Sequence, residues 1–134
     1  MAKIAFELVS PERLLFAQDV DMVVVPGAEG DFGVLPGHAP FMSGLRPGLI
    51  EVHEQNRVVE RLFVAGGFAE VTPERCTVLA GEAVALAEID REQAERRLKQ
   101  AERDLADATG TKQRAAAEVA VAVASELLSA LIRP

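Results

Sequence analysis

Glycine and proline all but stop at one point in this chain. Nine of its ten glycines and six of its seven prolines lie before residue 89; Gly110 and Pro134 are the exceptions. Glycine permits the positive φ of tight turns and proline interrupts helices, so a segment dense in both turns often and holds no long helix. The alanine-rich remainder carries no such restriction. Charge changes at the same place: residues 1–88 hold 13 acidic and 6 basic side chains, residues 89–134 hold 8 of each. The switch near Glu88–Asp90 divides the chain into two units, 1–88 and 89–134.

The first unit reads as strands. KIAFELV, DVDMVVV, GLIEVHE, RVVERLFV and RCTVLAG are short and rich in β-branched residues. Turn signals such as SPE, PG, EQN, GG and TPE separate them. In GLIEVHE, Leu49, Glu51 and His53 fall on one face and Ile50 and Val52 on the other, and EQN joins that stretch to RVVERLFV as a hairpin. About nine or ten short strands leave no room for βαβ crossovers, so an antiparallel sandwich or flattened barrel is expected. With six Phe and no Trp or Tyr, its core must be aliphatic.

The second unit reads as a hairpin of two antiparallel helices. Ala94, Leu98, Ala101, Leu105 and Ala108 recur at helical spacing; after the break at TGT, so do Ala116, Ala120, Val123, Leu127 and Ala130. Asp90 with Gln93 three residues on forms a capping-box pattern, and Ile89 can staple onto Ala94. Both stripes are narrow, and their small residues let the helices approach closely.

Several function classes are excluded at this level. The net charge of −7 argues against nucleic acid, because nothing would offset phosphate repulsion. Cys76 is the single cysteine, so no internal disulfide forms and a reducing compartment is expected. The first residues lack the charged and long apolar regions of a secretion signal. AAAEVAVAVA (115–124), interrupted by Glu118, falls short of the roughly eighteen apolar residues of a membrane span.

The densest cluster of turn residues is GAEGDFGVLPGHAP, residues 27–40. A phosphate loop there would need a Lys and Ser/Thr and a following helix, and has neither. The two histidines, His38 and His53, show no metal-ligand spacing, and no nucleophile–base pairing is evident. Glycine turns stiffened by Pro36 and Pro40 account for the backbone. Glu29, Asp31, Phe32 and His38 on such a loop point to a docking surface.

That loop belongs to an ordered series: FELVSPERLLF, GDFGVLPGHAP, LRPGLIEV, VAGGFAEV, VLAGEAV and a helical hairpin. Over almost the whole chain the series resembles the epsilon subunits of F-type ATP synthases, homologues of the mitochondrial delta subunit. The resemblance implies a β-sandwich of about ten strands, a C-terminal two-helix hairpin, and a non-catalytic rotor subunit of the central stalk. The implied partners are the gamma subunit and the membrane c-ring. The implied location is peripheral, on the cytoplasmic face of the bacterial plasma (inner) membrane, with membrane contact only through partners.

Residue by residue, Glu29, Gly30, Asp31 and Phe32 match the family's c-ring contact, where acidic groups meet basic ones on the ring loops. His38, Ala39, Pro40 and Met42 match its gamma-facing segment. No catalytic or metal residue is implied. Some members bind ATP at the start of the first helix. Ile89, Asp90 and Ala94 match that motif, but Gln93 stands where it carries arginine, which removes a phosphate partner, and no cofactor is expected. In inhibitory relatives the hairpin reaches the alpha/beta catalytic head through basic groups; the second helix here offers only Lys112, Arg114 and Arg133. A stand-alone binding module is the alternative reading. A carbohydrate-binding sandwich would present aromatic platforms, which a chain without Trp or Tyr lacks.

Overall fold

Runs of β-branched residues alternating with polar ones become strands, and turn residues set where the strands stop. A computed structural model of the protein describes residues 2–132. Its strands are β1 (Ile4–Val9), β2 (Leu14–Val20), β3 (Met22–Gly27), β4 (Gly30–Val34), β5 (Phe41–Leu45), β6 (Gly48–Glu54), β7 (Arg57–Val64), β8 (Gly67–Val71), β9 (Arg75–Ala80) and β10 (Ala83–Ala85). They form one sheet in the order β10-β7-β6-β3-β5-β8-β9-β1-β2, with β4 paired to β3. Only β1 and β9 run parallel. The antiparallel β fold of about ten strands expected from the sequence is present, and two helices follow it.

The β6–β7 hairpin follows the alternation. Ile50 and Val52 are fully buried while Leu49, Glu51 and His53 are only partly covered. Gln55 (φ 52°) and Asn56 (φ 65°) form the two-residue connection. Positive φ at both central residues is the twist that suits a tight hairpin. The strands wrap around a core that is mostly aliphatic, as expected, but that also includes the aromatic Phe6 beside Leu8, Val23, Val25, Ile50 and Val52, none with exposed surface. Each such side chain contributes about 1.5–3 kcal/mol on burial.

DVDMVVV does not form a single strand. The chain turns at Asp21, ending β2 at Val20 and starting β3 at Met22. The reason is tertiary. The Asp21 N–H donates to Glu54 Oε1 (2.8 Å) and His53 O (3.2 Å), and its Oδ2 accepts from the Gln55 N–H (2.8 Å). Lys3 Nζ completes the cluster, 2.8 Å from Glu54 Oε2 and 3.4 Å from Asp21 Oδ1.

The chain divides into two compact units, Met1–Ala87 and Glu88–Pro134. In the second, α1 (Arg91–Asp107) and α2 (Thr111–Ile132) are joined through Gly110 at φ 80° and lie against each other. Asp90 caps α1, its Oδ1 accepting from the Glu92 N–H at 2.9 Å, one residue short of the capping-box position at Gln93. The α1 stripe holds: Ala94 and Ala101 are buried, and Leu98, Leu105 and Ala108 are half-buried. The α2 stripe is displaced. Ala117, Val123, Ala124, Leu127 and Ala130 are buried, whereas Ala116 and Ala120 are exposed. With alanine or valine at nine of the ten positions 115–124, this helix carries little periodic signal there, so its buried face is set by packing. Arg133 and Pro134 lie outside the described residues.

The sequence expectation that no stretch reaches membrane-spanning length also needs correction. Among the described residues, α2 is long and apolar enough to cross a membrane, with a mean hydropathy of 1.8 over its best window. Alanines, valines, three leucines and Ile132 supply that value, and Glu118 and Glu126 lie along the same helix.

Candidate functional site

The segment 27–42 is a hairpin followed by an anchored turn rather than a continuous loop. β3 leads into a two-residue turn, Ala28–Glu29, and returns as β4, pairing Gly27 with Gly30, Pro26 with Asp31 and Val25 with Phe32. Gly27 is fixed by space: a Cβ there would lie 2.6 Å from Gly30 O and 2.9 Å from the Phe32 ring. Phe32 therefore packs over the hairpin's own backbone, half-buried, while Glu29, Gly30 and Asp31 are exposed.

Arg46 grips this hairpin from the side. Its backbone N–H donates to Pro26 O (3.1 Å), Nη1 to Gly27 O (2.8 Å) and Nη2 to Asp31 Oδ1 (2.5 Å). The Ala28 N–H donates to Gly44 O at 2.9 Å, so both sides of the turn are held. The Arg46 and Asp31 side chains stay 45% and 60% exposed. A pair so open to water contributes at most about 1 kcal/mol, and its effect is mainly on geometry. Glu29, at the turn, has no hydrogen-bond or ion-pair partner among the described residues.

Beyond β4 the chain makes a tight turn over Leu35-Pro36-Gly37-His38, with the His38 N–H donating to Leu35 O at 3.1 Å. Proline at the second position and glycine at φ 85° in the third are what a type II turn requires. The Gly37 N–H donates to Pro73 O (2.8 Å), tying the turn to the Thr72–Arg75 bend, whose Thr72 N–H donates to Arg75 O at 2.8 Å. His38 is half-buried and its Nδ1–H donates to Ala39 O at 2.6 Å. Ala39 and Pro40 are exposed, and β5 then carries Phe41 and Met42, 46% and 68% exposed.

Sequence reasoning treated residues 29–32 and 38–42 as two contacts and omitted the residue that joins them. Phe41 meets Phe32 edge to face, with centroids 5.3 Å apart, and lies 6.4 Å from the His38 ring. Arg46 was also missed. Its position in LRPG, next to other matching residues, was the only signal, since its partner lies 15 residues away. The resulting surface combines an unpaired carboxylate, exposed apolar side chains and a backbone held by hydrogen bonds. Such a surface suits binding.

Other candidates are placed elsewhere. Ile89 is half-buried, Asp90 is the N-cap of α1, and the N–H of buried Ala94 donates to Asp90 O at 3.0 Å. Asp90 and Ala94 are thus engaged in starting the helix. Cys76 is fully buried, and burial pushes its thiol pKa up to about 12, so the thiol is inert in the folded protein. Among the described residues no group of three or more His, Cys, Asp or Glu side chains is placed to hold a metal ion.

Comparison with known proteins bears on the fold and the family. The family model for the ATP synthase delta/epsilon chain β-sandwich domain matches residues 3–86. The ATP synthase epsilon chain of Rhodospirillum rubrum is 54% identical over 125 residues, covering 93% of this chain and 93% of the relative. That of Paramagnetospirillum magneticum is 51% identical over 129 residues, covering 96% and 97%. A chain in the cryo-EM structure of the Euglena gracilis mitochondrial ATP synthase (OSCP/F1/c-ring) superposes with a TM-score of 0.82 at 28% identity, covering 98% of this chain and 82% of that one. A chain in the Tetrahymena thermophila mitochondrial ATP synthase central stalk/c-ring structure shares the fold, with a TM-score of 0.69 at 14% identity. Sandwich, hairpin and sequence agree over nearly the whole length: the chain belongs to the ATP synthase delta/epsilon chain family.

Proposed function

We propose that this chain is a non-catalytic rotor subunit of the central stalk of an F-type ATP synthase. It binds the gamma subunit and the membrane c-ring, and so couples proton translocation to ATP synthesis. The observation that carries this reading is the gripped acidic hairpin of Gly27–Asp31, joined through Phe41 to the following turn. A surface that passes torque between two partners must not yield, and a hydrogen-bonded backbone with packed rings resists deformation better than long free side chains.

In this reading Glu29, Gly30, Asp31 and Phe32 face the c-ring, and His38, Ala39, Pro40 and Met42 face gamma. Residues 1–88 hold both contacts, and residues 89–134 stabilise or regulate. Membrane association comes through these partners, at the cytoplasmic face of the bacterial inner membrane, and α2 does not span it. No ATP is bound at the hairpin: Asp90 and Ala94 are explained by the helix start, and Gln93 offers no cation to a phosphate. Strong inhibition through the alpha/beta head is not expected, because Lys112 and Arg114 at the start of α2 are its only described basic residues.

The test is a pulldown of purified full-length chain against the gamma subunit of the same cells. A stable one-to-one complex supports the stalk reading. No complex would favour an independent β-sandwich binding module.

A further inference from the structure

The docking hairpin carries two carboxylates, and the structure treats them differently. Asp31 is bonded to Arg46 Nη2 at 2.5 Å, whereas Glu29 has no partner among the described residues. Arg46 does more than neutralise Asp31. Through Nη1 it also holds the Gly27 carbonyl at 2.8 Å, so one planar guanidinium spans both strands at the base of the Ala28–Glu29 turn. Its own backbone N–H is anchored on Pro26 O at 3.1 Å. A guanidinium can make both bonds at once because its donors form a fixed fork; a lysine ammonium concentrates its charge at one point.

We infer that Glu29 is the carboxylate that meets a cationic side chain of the docking partner, and that Arg46 is the positioning residue that fixes where Glu29 points. Asp31 is the internal counter-ion of Arg46. This rests on the docking function proposed above. It makes a prediction opposite in sign to one based on net charge. Removing the positive charge of Arg46 makes this face more acidic, which on charge alone would strengthen attraction to a basic partner. If Arg46 positions Glu29, the same change weakens binding.

The experiment uses the F-type ATP synthase of the same cells, stripped of this chain, and measures the concentration of full-length variant that half-restores binding. Glu29→Gln should weaken rebinding about tenfold, the loss of one well-placed charge pair, with an unchanged melting temperature. Arg46→Gln should weaken it severalfold and speed amide exchange at Ala28 and Glu29. Arg46→Gln combined with Asp31→Asn should be no worse than Arg46→Gln alone. Arg46→Lys, which keeps the charge beside Asp31 without the fork, should recover part of the binding. It also decides the matter if Arg46→Gln lowers the melting temperature by more than a few degrees.

Two results overturn the inference, and they are distinguishable. If Glu29→Gln weakens rebinding but Arg46→Gln tightens it or leaves it unchanged, the positioning role fails and the docking function stands. If neither variant changes rebinding, the hairpin is not the contact, and the docking function fails with it.

Discussion

Phe32 and Phe41 meet edge to face, their centroids 5.3 Å apart and their planes at 83°. One ring belongs to the acidic hairpin and the other to the strand after the Pro36–Gly37 turn, so a load on either segment passes into the other through this contact. The His38 ring also lies 6.4 Å from Phe41. Two surfaces assigned to different partners thus share one aromatic hinge pin.

Phe41→Ala should therefore disturb both contacts. Phe41 is about half exposed, so the stability loss should stay near 1–2 kcal/mol, below the roughly 3–5 kcal/mol of a buried Phe→Ala change. Binding to gamma and to the rest of the complex should fall by more than that loss explains, while Phe41→Tyr, which keeps the ring, should bind normally. Denaturant midpoints and rebinding titrations on the same preparations check this. Equal behaviour of the Ala and Tyr variants would remove Phe41 from the mechanism.

Reversing charge at the hairpin tip should impair assembly. Glu29→Lys with Asp31→Lys brings like charges against a basic partner, and such juxtapositions cost several kcal/mol. Glu12→Lys with Glu60→Lys is a suitable control of equal charge change. Glu54 is not, because it accepts from Lys3 Nζ at 2.8 Å and from the Asp21 N–H at 2.8 Å. Assembly is read as the amount of this chain retained on purified complex. Equal retention of the two double variants would refute the assignment.

Legibility in the sequence followed the range of each interaction. The β6–β7 hairpin was readable because alternation and turn residues are local. The break at Asp21 was not, since its N–H is bonded to Glu54, 33 residues on. β4 was hidden because Gly30 and Gly33 give it no strand-like composition. On α2 the register of the buried face was lost in a run of alanines, where Ala117 and Ala116 look alike but only Ala117 is buried. Within the site, the exposed acidic and turn residues were visible, but the partners that hold them, Arg46 and Phe41, come from the following strand and its end.

Acid should weaken the Asp21 cluster. The backbone N–H of Gln55, which favours the ionised carboxylate, holds the Asp21 pKa below its ordinary 3.8; desolvation opposes this and Lys3 adds to it. A carboxyl group whose folded pKa is depressed contributes in full above its unfolded pKa and loses that contribution as pH falls through the folded value. The stability difference between wild type and Asp21→Asn should accordingly be constant near neutrality and shrink below pH 3.8. Lys3 runs the other way. Its hydrogen bond to Glu54 holds its pKa above 10.5, so its contribution is complete below that value and lost as pH rises through the raised one. Urea midpoints across the acid range check the first point. A difference that grows on acidification would contradict it.

Cys76 should report opening of the sandwich. Burial raises its pKa to about 12 and leaves it no exposed surface. At pH 8 the thiolate fraction should be roughly a thousandfold below that of a free cysteine, before access is even considered. Labelling by an aromatic disulfide reagent should be negligible in the native state and reach the free-thiol rate across the unfolding transition. Rapid labelling of native protein would mean that the β1–β9 pairing, where Phe6 lies beside Cys76, opens far more readily than its packing implies.

Deleting residues 89–134 should leave a folded sandwich that still couples proton flow to ATP synthesis. Every residue of the sandwich's apolar core cluster comes from Ile4 to Ala80, with Ala83 and Ala85 packed at its edge. The helices bury mainly small side chains, Ala94 and Ala101 on α1 and three alanines among five residues on α2. At about 25 cal/mol per Å² such a seam contributes only modestly to anything it packs against. Hydrolysis should rise little on truncation. An inhibitory extension needs free cations, and only part of the set is free: Arg91 is 3.4 Å from Glu95, Arg96 is 3.8 Å from Glu92 and Arg114 is 3.7 Å from Glu118, while Lys99, Arg103 and Lys112 have no partner among the described residues. Such exposed pairs are individually weak, but each places a carboxylate where an approaching acidic surface would have to displace it. ATP synthesis and hydrolysis are compared in membranes carrying the full-length or the truncated chain. Loss of assembly would show that the hairpin is structural. A many-fold rise in hydrolysis would show that it inhibits, with the basic residues of α1, Arg91, Arg96, Arg97, Lys99 and Arg103, as the groups to replace next.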